Sequence, residues 1–269
     1  MSGDGRPPAI ELRGVCKAFR ADPVLGGVDL EIREGETFTI LGGSGTGKSV
    51  ILKHMIGLLR PDAGRVLVEG QDITDLREDD LIEVRKNVSM IFQSAALFDS
   101  LSVRENVAYP LREHRDWPEE RIAERVAACL EAVGLAGAEP LMPSELSGGM
   151  RKRVGVARGI ALEPRAILYD EPTTGLDPAN QKRVGDLISS LQEQLRVTSV
   201  VVTHELELCF AVSDRVALLK DGRIVETGTA EQMRRSEQPA VRAFLSGAQD
   251  EGENGAEAVL RAEGLERGG

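Results

Sequence analysis

The sequence predicts an α/β fold: a largely parallel sheet covered on both faces by helices, with a helical segment inserted into it. Three observations lead there. ETFTILGG is a short β-branched, apolar run ending in glycines, and KSVILKHMIGLL continues it with helical spacing, so the chain reads strand, loop, helix. RAILYDE and TSVVVTHE are continuous apolar runs separated by the helical pattern ANQKRVGDLISSLQEQL, the signature of strands buried on both faces. Between these two blocks, strand signals vanish from about Gln93 to Leu146.

Taken in order, AIELRGVCKAF and VDLEI have strand-like patterning on either side of ADPVLGG, which reads as a turn. RVLVEG is another short strand, followed by the polar stretch QDITDLREDD and then by NVSMIF. EERIAERVAACLEAVGL spaces its apolar residues at helical intervals, and the helical insertion is expected to cover about residues 93–160. ELELCFAVS reads as a helix, and DRVALLKDGRIVETG as a hairpin turning at Asp221–Gly222. The folded domain is expected over residues 9–245. The stretch 246–269 holds six glycines and six acids against two arginines, a composition that favours disorder, with a short helix docked on a neighbour as the alternative.

Bulk properties narrow the function. With 41% hydrophobic and 29% charged residues, the 269-residue chain is ordinary for a water-soluble globular protein. A net charge of -11 and only 3% aromatic residues argue against a nucleic-acid backbone as the main partner. No stretch approaches the ~18 to 20 apolar residues of a bilayer span, and MSGDGRPPAIEL does not read as a secretory leader. Cys16, Cys129 and Cys209 are widely spaced and read as reduced thiols of a cytosolic protein.

The chemistry is concentrated in three short runs. Gly42, Gly43, Ser44, Gly45, Thr46, Gly47, Lys48 and Ser49 fit G-x-x-x-x-G-K-[ST] between a strand and a helix. Glycines there let backbone N–H groups face a phosphate, and the helix N-terminus adds positive potential. Lys48 reaches the β- and γ-phosphates and Ser49 can ligate Mg²⁺. In RAILYDEP, the apolar run Ala166 to Tyr169 delivers Asp170 to a strand's carboxyl end as a second Mg²⁺ ligand, and Glu171 one residue on can polarise a water. The third run, LSGGM at 146–150, is another glycine-rich, serine-bearing loop ahead of a helix-prone stretch.

With GGSGTGKS and RAILYDE, the run LSGGMRKRVGVARG resembles the signature of ATP-binding cassette (ABC) ATPases, over about residues 9 to 230. The resemblance implies the ABC form of the P-loop NTPase fold: a RecA-like mixed sheet core with a helical subdomain and an antiparallel β subdomain. It also implies ATP and Mg²⁺ as ligands, and a homodimer in which Ser147, Gly148 and Gly149 close over the γ-phosphate held by the other subunit. Residue by residue, Phe19 matches the aromatic that stacks on adenine, with a strand-core role as the alternative. Gln93 matches a glutamine that contacts Mg²⁺ and reports to a membrane partner, Asp177 in TTGLD an aspartate at the dimer interface, and His204 a histidine on the γ-phosphate. His54 and His114 match nothing catalytic and read as a helix residue and a surface residue. Met150 stands where many members carry Gln, and Glu205 where Asp is frequent.

Residues 93–114, QSAALFDSLSVRENVAYPLREH, together with LMPSELSGGM resemble the ATPases of the Mla (maintenance of lipid asymmetry) phospholipid-trafficking family. That resemblance implies an integral permease of the MlaE type, an MCE-domain lipid-binding protein of the MlaD type and a small STAS-domain protein of the MlaB type. It places the chain at the cytoplasmic face of a bacterial inner membrane. Ala95–Phe98 and Val107–Leu111 read either as apolar anchors for the permease or as internal packing. A methionine-type amino-acid importer ATPase and a soluble ABC ATPase, such as an iron–sulfur assembly factor, remain the alternatives at this point.

Overall fold

The computed structural model describes residues 7–247. Strand β1 (Ile10–Phe19) turns through Arg20 and Ala21 into β2 (Asp22–Ile32), and β3 (Thr37–Leu41) runs through the glycine loop into α1 (Lys48–Met55). Strands β4 (Ala63–Val68) and β5 (Gln71–Asp72) precede α2 (Glu78–Asn87) and β6 (Val88–Ile91). Three helices follow, α3 (Val103–His114), α4 (Glu119–Ala132) and α5 (Gly148–Ile160). The chain then alternates through β7 (Ala166–Asp170), α6 (Pro178–Leu195), β8 (Thr198–Thr203) and α7 (Leu206–Val212). It ends in the hairpin β9 (Arg215–Lys220) and β10 (Arg223–Thr229), then α8 (Ala230–Arg234), with residues 239–247 also helical.

The strands form two sheets. One is antiparallel, ordered β2-β1-β4-β5; the other is ordered β10-β9-β3-β8-β7-β6 and is parallel except for the β9–β10 hairpin. This is the α/β class expected, with its antiparallel β part. The alternation of side chains explains the continuous apolar runs. Ala166 and Leu168 of β7, with Val200 and Val202 of β8, join a core shared with α1 and the antiparallel sheet. Ile167, Tyr169 and Val201 point the other way, into a core shared with α3, α4 and α5.

Three local readings need correction or sharpening. ADPVLGG is not a turn: all but its first residue belongs to β2, because pairing with β1 continues past it through bulges at Val15 and Cys16, with Gly27 at φ 87°. QDITDLREDD supplies β5 and the start of α2, whose first turn carries Glu78, Asp79 and Asp80 against the positive helix end. Ala95, Val107 and Leu111 pack internally at 2% exposure or less, whereas Phe98 and Tyr109 are each 43% exposed with ring centroids 5.0 Å apart. Asn106, fully buried, explains this division. Its amide donates to the carbonyls of Phe98, Leu101 and Ser102 and accepts from the Phe98 N–H, fixing the loop that presents Phe98. The calls on the stretch 248–269 lie outside the described residues.

Candidate active site

Four neighbouring parallel strands, β3, β8, β7 and β6, end on one edge of the sheet. Their carboxyl ends lead into the glycine loop, His204, Asp170–Glu171 and Gln93 respectively, so chain connectivity alone gathers these residues. A cavity of about 480 Å³ opens there, lined among others by Phe19, Ser44, Gly45, Lys48, Ser49, Gln93, Glu171 and His204.

The loop's glycines are required by space and by dihedral angle. A Cβ on Gly42 would lie 2.6 Å from the Leu219 carbonyl oxygen, and Gly47 has φ 102° with Leu25 2.9 Å from where a Cβ would stand. Thr46 Oγ1 donates to the Gly43 carbonyl at 2.9 Å and braces the loop. Lys48 Nζ donates to the carbonyls of Gly42 and Gly43, both at 2.8 Å, and lies 3.1 Å from Glu171 Oε1. Ser49 Oγ donates to Asp170 Oδ1 at 2.7 Å.

Glu171 sits one residue beyond β7 with a left-handed backbone, φ 47°, a conformation that costs a non-glycine residue roughly 1–3 kcal/mol. Its N–H donates to the Val202 carbonyl at 3.0 Å, which anchors the strained residue to β8. Its carboxylate bridges three groups: Lys48 on one oxygen, and on the other His204 Nδ1 at 2.9 Å and Thr174 Oγ1 at 3.3 Å. Burial pushes the Asp170 carboxyl above the ordinary carboxylate range, opposed chiefly by the Ser49 hydrogen bond.

Other residues singled out from the sequence lie elsewhere. Ser147 caps α5, its hydroxyl accepting from the Met150 N–H at 3.2 Å, and Ser147 and Gly148 are exposed. Asp177 caps α6, accepting from Asn180 on both oxygens, and these bonds hold its carboxyl below the usual range. Neither the 147–149 loop nor Asp177 lines the cavity. Met150 packs against the helical core, where the more usual glutamine would bring a polar amide. Phe19 is 44% exposed, which sets aside the strand-core alternative. His54 is buried in α1 and His114 ends α3.

Sequence reading missed several neighbours. Val24 lines the cavity from β2, within the stretch misread as a turn, and Thr174 lines it from the loop after Glu171. Lys152 of α5 donates to the Thr174 carbonyl at 2.7 Å, with the Glu171 carbonyl at 3.5 Å, tying the 147–149 helix to the loop after β7. Burial pushes its amine below the ordinary lysine range. Arg158, two turns on, donates to the carbonyls of Ala95 and Ala96, both left-handed, and so secures the turn just after Gln93.

This geometry has close counterparts. The family model described as ABC transporter matches residues 25–174. The chain is 44% identical over 232 residues to the intermembrane phospholipid transport system ATP-binding protein MlaF of Haemophilus influenzae, covering 86% of this chain and 88% of that protein. To the probable ribonucleotide transport ATP-binding protein mkl of Mycobacterium leprae it is 42% identical over 250 residues, covering 92% of this chain and 72% of that protein. Among solved structures, the dimeric post-hydrolysis state of the ATP-binding cassette MJ0796 bound to ADP and Pi superposes with a TM-score of 0.76 at 32% identity. That match covers 82% of this chain and 98% of the other. With more than half its length matched by the family model and relatives above 40% identity over most of both chains, this chain belongs to the ABC transporter family.

Proposed function

We propose that the chain is the ATP-hydrolysing subunit of a phospholipid transporter and that Lys48, Glu171, His204 and Gln93 carry the reaction. The observation that carries this reading is the convergence of these residues, from four adjacent strand ends, on one cavity behind a phosphate loop. When ATP enters, its phosphates compete for the Lys48 ammonium, which releases the loop carbonyls and Glu171. The freed Glu171 carboxylate accepts a proton from water as the water oxygen bonds to the γ-phosphorus. The bond to the bridging oxygen breaks, and ADP leaves with that oxygen. His204, bonded to the second Glu171 oxygen, is placed to orient that carboxylate and to touch the γ-phosphate.

Ser49, Asp170 and the Gln93 side-chain oxygen form a hard-oxygen donor set suited to Mg²⁺. The buried Asp170 carboxylate forms no ion pair with a lysine or arginine among the described residues, which fits a cation at that place. When bound, the ion neutralises phosphate charge.

The Ser147–Gly149 loop, exposed at Ser147 and Gly148 and outside its own chain's cavity, suits a head-to-tail homodimer in which it closes over the nucleotide of the second copy. That the MJ0796 cassette is dimeric with ADP and Pi bound supports a pairing of two copies. Asp177 would lie at the same interface. No described helix is long and apolar enough to cross a membrane. The work would be delivered to a separate permease. Its seat would be the groove of about 440 Å³ lined by Leu58, Phe92, Phe98, Tyr109, Pro110 and Arg158. That groove is reached from Gln93 through the turn that Arg158 holds.

Phospholipid is favoured over ribonucleotide as cargo because the match spans more of the MlaF protein's own length, 88% against 72% of mkl. The companions are then a permease of the MlaE type, an MCE-domain protein of the MlaD type and a STAS-domain protein of the MlaB type, at the cytoplasmic face of the inner membrane. Affinity purification from native membranes in mild detergent, with mass spectrometry of proteins and lipids, tests this. A permease, an MCE protein and bound phospholipid are expected. A different permease moves the chain to another importer class, and no membrane partner at all overturns the transport reading.

A further inference from the structure

Phe19 poses a physical problem. It ends β1, it is 44% exposed, and the next residue, Arg20, already turns with φ 58°. An aromatic ring at a strand terminus has little packing to fix its orientation, yet a stacking platform must present one face to the cavity it shares with the phosphate loop. The segment just before it is held by four bonds. The Lys17 ammonium pairs with Asp62 Oδ1 at 2.7 Å and donates to the Arg60 carbonyl at 2.9 Å. The second Asp62 oxygen accepts from the Ala18 N–H at 2.7 Å, and the Asp62 N–H donates to the Cys16 carbonyl at 2.9 Å. These four bonds fasten residues 16–18 to residues 60–62, just ahead of β4, and leave the ammonium 5.8 Å from the centre of the Phe19 ring.

We infer that Lys17 and Asp62 are positioning residues for base recognition: together they hold the end of β1 and one side of the Phe19 ring, so that the ring's open face receives the nucleobase. The inference rests on the reading of the cavity as the ATP site. Lys17 does not line that cavity, whereas Phe19 and Val24 do, so its amine acts through the ring and not on the phosphates. A lysine at this distance polarises the aromatic face as well as limiting its rotation. The pair should therefore govern the part of ATP affinity that comes from adenine and leave the part that comes from the triphosphate.

The test separates those two parts. Binding of ATP and of inorganic tripolyphosphate, which has no base, would be measured by calorimetry for the unaltered chain and for Phe19→Ala, Lys17→Met, Lys17→Arg and Asp62→Asn. Phe19→Ala should weaken ATP by about tenfold, the size of a single base-stacking contact, and leave tripolyphosphate unchanged. Lys17→Met should do the same to a lesser extent, raising the KM for ATP while kcat at saturation holds. Lys17→Arg should restore binding, because a guanidinium can make the same carboxylate and carbonyl bonds. Asp62→Asn should fall between. Equal weakening of both ligands by Lys17→Met, or no weakening of either, overturns the positioning role. An unchanged ATP-to-tripolyphosphate ratio in Phe19→Ala overturns the stacking reading itself, independently of Lys17.

Discussion

Two glycine-rich loops open helices in this chain, and they are built for opposite directions. The loop at Gly42–Ser49 turns inward. Its lysine is bound by its own carbonyls and by Glu171, its serine by Asp170, and much of it lines a cavity within the same molecule. The loop at Ser147–Gly149 turns outward. Its serine caps its own helix, its first glycine is exposed, and it does not line that cavity. The contrast teaches that the two loops face different surroundings, one an internal cavity and the other the surface; in the reading proposed above, a site that uses both is completed by a second copy.

The largest expected effect breaks the inward loop. Lys48→Ala removes the ammonium proposed to meet the phosphates, and ATPase should fall by on the order of a hundredfold to a thousandfold, measured as phosphate release at saturating ATP. Glu171→Gln removes the proposed proton acceptor while leaving the carbonyl oxygen on the same side chain. Turnover should fall by about a hundredfold or more, with ATP binding retained, and near-normal turnover would remove the general-base role. Ser147→Arg breaks the outward loop instead: ATP binding to the isolated chain should stay unchanged, while hydrolysis falls because the long cation blocks closure.

The smallest effect sharpens the inward loop. Because burial raises the Asp170 pKa in the folded chain above its unfolded value, the ionised carboxylate costs the nucleotide-free fold stability at neutral pH. That cost is absent below the unfolded pKa and is fully present above the folded one. Asp170→Asn should therefore raise the melting temperature of the nucleotide-free chain by about a few degrees at neutral pH, with the gain disappearing in acid. A lower melting temperature at neutral pH would contradict this.

The inward loop was legible in the sequence because its chemistry is local: glycines, a lysine and a serine at fixed spacing after an apolar strand. Asp170 and Glu171 were legible for the same reason, as the apolar run before them can only be a buried strand. What stayed hidden depends on partners distant in the chain. The extent of β2 is set by pairing with β1 through bulges, which a glycine-bearing stretch conceals. Val24, within it, was lost with it. Lys152 reads as one more cation in RKR until α5 is seen packed beside the loop after β7. The division of residues 95–111 between core and groove hangs on Asn106, whose buried amide gives no sign of itself in a polar-looking stretch. LSGGM lies between these cases: its helix cap is local, but the use proposed for it requires a second copy of the chain.

The most direct test of the account is the molar mass in solution, by light scattering after size exclusion in ATP and Mg²⁺, of Glu171→Gln and of the double variant Glu171→Gln with Ser147→Arg. A stable ATP-bound dimer is expected for the first and an ATP-bound monomer for the second. Dimers from both, or a monomer from the first despite bound ATP, would contradict a site shared between two copies.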